Sequence, residues 1–127
     1  MIVRRVLGTL AGVVVSTAVI MTVEWLGHAA LGDSAGDGGP PQLTPAMFAV
    51  VMVGWTLGAY LGGCAGVALA RWRGAAWIVG GLVALGILAN QLSVPQPLWV
   101  SAAGICLALL AATLAASSKG KPQRVAL

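Results

Sequence analysis

The chain has 127 residues, 59% of them hydrophobic and only 8% charged, with a net charge of +4 from seven Lys and Arg against three Asp and Glu. An ordinary soluble domain is about 25% charged, and one aqueous core would leave much of this apolar surface in water, so the composition excludes that class and makes a bilayer the better solvent. Nucleic acid is not an expected partner, because the cations flank apolar runs instead of forming a stripe interleaved with aromatics.

The first apolar run follows Arg4 and Arg5, and the span is read from Ile2 to Leu31. Its uncharged stretch from Val6 to Val23 is 18 residues long, beyond the usual 7–15 residue core of a signal peptide, so it is read as a retained transmembrane helix. Residues 32–42, GDSAGDGGPPQ, contain four Gly and two Pro, which predicts an exposed loop. The second span is predicted over 43–70, with Thr44 as N-cap and Pro45 at the first helical position. It stops at Arg71-Trp72-Arg73. The third span is predicted over 74–93 and the fourth over 98–117. Between them Val94-Pro95-Gln96-Pro97 cannot continue a helix. Residues 118–127 form a basic tail carrying Lys119, Lys121 and Arg124.

Each span is close to the roughly 20 residues that cross about 30 Å of hydrocarbon. The cations occur only at the start of span one, between spans two and three, and in the tail, whereas Glu24, Asp33 and Asp37 lie elsewhere. By the positive-inside rule this predicts an all-α, polytopic, antiparallel four-helix bundle in a bacterial inner membrane, with both termini cytoplasmic. Anionic lipid headgroups are the expected partners of the basic ends. Trp72 and Trp77 then fall at the inner boundary and Trp25 and Trp99 at the outer one, as an interfacial belt requires. Trp55 falls near mid-membrane. Cys64 and Cys106 fall towards opposite ends of their helices and are expected to be free thiols, because a disulfide needs Cα atoms within about 7 Å.

Span two carries Gly54, Gly58, Gly62 and Gly66, three overlapping Gly-x-x-x-Gly motifs on one face, and span four carries Gly104 and Ala108 on a similar face. Small residues in register let helix backbones approach closely in lipid. The face serves packing within the chain or, alternatively, self-association or docking to a larger membrane protein.

The polar residues that invite chemistry are Glu24 and His28 in span one and Asn90 and Gln91 in span three. Glu24 and His28 are four apart and share a helical face. Counting from Arg5, Glu24 stands about 28 Å up the helix; counting from Gly74, Asn90 stands roughly 24 Å up. The four residues are therefore expected to meet in one cluster near the outer boundary. Ionisable groups in spans are costly and functional by default. Such a cluster can hold a proton or a small polar ligand, offer two ligands to a metal, or fix how span one docks on span three; one histidine with no cysteine nearby argues against the metal. Thr9, Ser16, Thr17, Thr22, Thr56, Tyr60, Ser101 and Thr113 are expected to bond to their own helix backbone. No Ser-His-Asp set, nucleotide loop or CxxC motif occurs, so neither an enzyme nor a cofactor is expected.

Glu24-Trp25-Leu26-Gly27-His28, then Asn90 and Pro95-Gln96-Pro97-Leu98-Trp99, resemble the motifs of a group of small bacterial four-helix membrane proteins with Glu-x-x-Gly-His in the first span and Asn followed by Pro-x-Pro-x-Trp between spans three and four. The resemblance implies the same topology and marks Glu24, His28 and Asn90, but it implies no reaction. A common variant in that group has His at the position of Gln96.

The functional expectation is a non-enzymatic accessory protein or self-associating bundle with an outer polar cluster. The alternative is a minimal ion- or proton-coupled transporter or channel, which with four helices would need an oligomer.

Overall fold

The computed structural model describes residues 1–31, 44–94 and 96–118. The loop 32–43, Pro95 and the tail 119–127, on which several sequence expectations fall, lie outside the described residues. Four α-helices follow one another: α1 (Ile2–Leu31), α2 (Pro45–Ala70), α3 (Gly74–Ser93) and α4 (Leu98–Ser117). All four are long and apolar enough to cross a membrane. Among the described residues there is no strand.

Local chemistry sets the ends. Thr44 caps α2, its hydroxyl accepting from the Met47 amide at 3.4 Å, with Pro45 behind it in the first turn. Arg71 ends α2 in the left-handed region at φ 51°, a conformation that commonly closes helices. A side chain at Gly74 would collide with the Trp72 ring, so glycine is what lets α3 start so soon. At the other end of α3, Val94 is extended (φ −124°, ψ 122°) while its amide still donates to Asn90 at 2.8 Å. That is the conformation a following proline imposes.

The helices form a flattened bundle. α2 and α3 each touch all three other helices, whereas α1 and α4 occupy opposite sides and do not meet. The interface of α1 with α2 is the most extensive, and that of α1 with α3 the smallest. The cores are built from small residues: Ala59, Ala75, Ala76, Ala108, Ala112 and Ala115 are fully buried, and the largest fully buried side chains are only Ile87, Val79 and Val100. This is packing by close backbone approach. Facing outward are Val14, Leu85, Leu110 and Leu114, each more than half exposed. Only a minority of each helix is buried inside the protein; large apolar side chains cover much of the rest, more than a monomer usually keeps in water.

The arginines gather at one end. Arg4 Nε donates to the Leu69 carbonyl at 3.2 Å, and the Arg5 guanidinium lies 5.4 Å from the Trp72 ring centroid, a cation–π contact. Cys64 Sγ and Ser118 Oγ approach to 3.8 Å, so the last residue of the described chain sits at the arginine end too. Both cysteines are free.

Candidate functional site

The register of α1 on α2 is fixed by glycine. A Cβ at Gly12 would lie 2.6 Å from the Gly62 carbonyl and 2.9 Å from Gly66 Cα; one at Gly58 would lie 3.0 Å from the Ser16 carbonyl; one at Gly8 would strike the Ala70 backbone. A Cβ at Gly54 would come to 3.4 Å from Val23, an ordinary contact, and one at Gly66 would lie 3.3 Å from Ala75 of α3. The glycine face of α2 is therefore filled from within the chain, by Gly8, Gly12, Ser16 and Ile20 of α1. Gly104 of α4 gives room to the Trp55 ring, which a Cβ there would approach to 2.6 Å, and Ala108 meets Gly80 of α3 through its carbonyl.

Against α3 the first helix behaves differently. Between α1, α2 and α3 a groove of about 570 Å³ stays open. Its deep part is mostly apolar, with Val13, Ile20, Val79 and Val83, and also carries Ser16 and Thr17. Its upper part, away from the arginines, carries Glu24 and His28 of α1, Asn90 at the end of α3, and Gln96 from the α3–α4 turn. Phe48 and Trp55 of α2 form its back wall. Two turns apart on one helical face, they are pinned from behind: Phe48 stands edge-on to Trp99 (centroids 6.4 Å, interplanar angle 70°), and Trp55 rests on Gly104. Because Gly27 packs at Val50 and Gly54 at Val23, the level of Glu24 falls between the two rings. Glu24 is half-buried, while His28, one turn along the same helix, is exposed. Among the described residues no Lys or Arg lines the groove, and no three of His, Cys, Asp and Glu come together as a metal site would require.

Three of the four expected cluster residues thus share the groove, and Gln91 does not. Adjacent residues on a helix point about 100° apart, so when Asn90 faces α1, Gln91 must face elsewhere. Its amide nitrogen donates to the Gln96 carbonyl at 3.1 Å, and its amide oxygen accepts from the Ser101 hydroxyl; Gln96 Nε2 in turn donates to Ser101 Oγ at 2.8 Å. This ring ties the proline turn to the first turn of α4 around the buried Ser101. Ser101 therefore departs from the expectation of a backbone bond within its own helix, because the turn offers it two amides. Thr9, Thr17, Thr22, Thr56 and Thr113 do bond to the carbonyl four residues back. Ser16 departs as well: its hydroxyl is buried where α1 meets α2 and has no hydrogen-bond partner. Gln96 is the site residue that the spacing argument passes over; its place in a two-proline turn directly above Asn90 is the available signal.

Comparison with protein-family models, with curated proteins and with solved structures finds no match.

Proposed function

We propose that this chain is a non-enzymatic, multi-pass protein of a bacterial inner membrane, with both termini cytoplasmic, which acts as an accessory or self-associating bundle through the polar groove at its outer end. Four apolar helices with an apolar exterior support the membrane setting. The gathering of Arg4, Arg5, Arg71 and Arg73 at one end supports the orientation, since cations are retained on the cytoplasmic side. The observation that carries the functional reading is the contrast in polarity: nearly all helix surface is apolar, yet Glu24, His28, Asn90 and Gln96 converge at one level of one groove. Polar groups placed at such depth are costly to keep without a use. Because α1 covers the glycine face, engagement of a second copy or a larger partner falls to the groove or to the leucine-rich outer surfaces.

Two measurements test this. A reporter fused after Leu127 should be active on the cytoplasmic side; activity on the periplasmic side overturns the orientation. Cross-linking in native membranes, followed by mass spectrometry, should capture a second copy or a partner, and Glu24→Gln with His28→Ala should weaken that capture. A chain that is monomeric and alone, but supports ion flux in liposomes that Glu24→Gln abolishes, would replace this reading with the transporter alternative.

A further inference from the structure

We propose that the groove between α1, α2 and α3 is a binding site for an amphipathic organic cation, a molecule with an ammonium or phosphonium head on an apolar body. This rests on the membrane placement proposed above and names the ligand class of the same groove.

Size comes first. About 570 Å³ lies within the 300–1,000 Å³ typical of small-molecule pockets, which are mostly apolar with a few placed polar groups. The deep part is mostly apolar, with Val13, Ile20, Val79 and Val83, and also carries Ser16 and Thr17, the latter's hydroxyl being bonded to the Val13 carbonyl. Charge decides the head. Among the described residues Glu24 is the one acid in the lining, His28 stands one turn from it on the same helix, and no Lys or Arg is there. An anion would be repelled by a carboxylate in a medium of low dielectric. A wholly apolar occupant would strip water from Glu24 and give nothing back. A cation satisfies it. The back wall points the same way: the level of Glu24 falls between the Phe48 and Trp55 rings, and aromatic faces attract quaternary ammonium groups strongly when water is excluded. Gln96 contributes an acceptor, because its amide nitrogen is committed to Ser101, leaving the amide oxygen to accept from a donor head. Access is lateral. Met21, Leu82 and Gly86 on the lips are exposed, on the side where α1 and α3 touch least.

The structure supplies its own blocking variant. A Cβ at Gly86, which lines the groove, meets nothing within 4 Å, and the same holds at Gly81, which does not line it. Gly86→Leu therefore puts a bulky side chain on the groove's lip from a Cβ that meets nothing, and Gly81→Leu adds the same side chain elsewhere on α3. The experiment uses the full chain in phosphatidylcholine nanodiscs, titrated with tetraphenylphosphonium and, separately, with tetraphenylborate, an anion of the same shape; partition into empty discs is subtracted. The expected result is saturable phosphonium binding. It should weaken at least tenfold in Glu24→Gln and be lost in Gly86→Leu, with Gly81→Leu binding like the parent. Borate should show no saturable component. Equal binding of the two ions, undiminished binding by Glu24→Gln, or no saturable phosphonium uptake by a chain that has inserted into the discs each overturns the inference while leaving the membrane reading intact. A chain that does not enter the discs overturns both.

Discussion

Helix α1 presents glycine and serine to α2 and larger side chains to α3, and the two interfaces end up opposite in kind. At Gly8 and Gly12 of α1 and at Gly58 and Gly62 of α2, a single added carbon would lie 3.0 Å or less from the facing backbone. Where α1 faces α3, Gly86 looks onto open space and a groove remains. Glycine alone does not close a helix pair; glycine opposite glycine does. In lipid, where no hydrophobic exclusion forces the remaining gap shut, one tight seam and one open one can coexist on the same helix.

The largest effect should come from the wall that both regions share. Trp55→Ala removes the ring seated on Gly104 and merges the groove with the cavity it leaves; a loss of about 3–5 kcal/mol is expected, read by denaturant unfolding in micelles. Next, Gly12→Leu forces a side chain against the Gly62 carbonyl, and backbone on both sides cannot yield. It should cost about 1–3 kcal/mol or more and detach α1, detectable as loss of a disulfide engineered between α1 and α2. Ser101→Ala leaves the amides of Gln91 and Gln96 without their common partner, at a cost of about 1–2 kcal/mol; the proline turn should then exchange amide hydrogens faster while the α1–α2 seam keeps its protection. The smallest effect carries the opposite sign. Gly86→Ala meets no atom and relieves a flexible mid-helix position, so it should stabilise by about 0.5–1 kcal/mol. If Gly86→Ala destabilised the protein as Gly12→Leu does, the difference between the two seams would collapse.

Much of this architecture is legible in the residues. The starts and stops of the helices follow from Pro45, from the Arg71-Trp72-Arg73 turn and from the residue before Pro95, each of which acts within a few bonds of itself. Which helix fills the glycine face of α2 is harder to read, because Gly54 to Gly66 would accept any small-residue partner. The deciding complement, Gly8, Gly12 and Ser16, also lies at four-residue spacing in α1, but it sits in a run of valines that reads equally well as lipid-facing. The grouping of Glu24, His28 and Asn90 follows from counting rise along helices. The separation of Gln91 from them does not, because counting height ignores azimuth; one residue along a helix is a third of a turn around it. Ser16 and Ser101 escape a local rule for a similar reason. Their surroundings are set by what crosses from another helix, and hydroxyl habits within one helix carry no information about that.

At the arginine end α1 is held by Arg4 on the Leu69 carbonyl and Arg5 against Trp72, some 28 Å of helix below Glu24. Above that clamp the seam with α2 holds it as far as Gly27 against Val50, so the height and azimuth of Glu24 are inherited from α2. The width available between the carboxyl group and the opposite wall is therefore governed from behind, by the backbone contact on the far side of the helix, as well as by the side chains that border the gap.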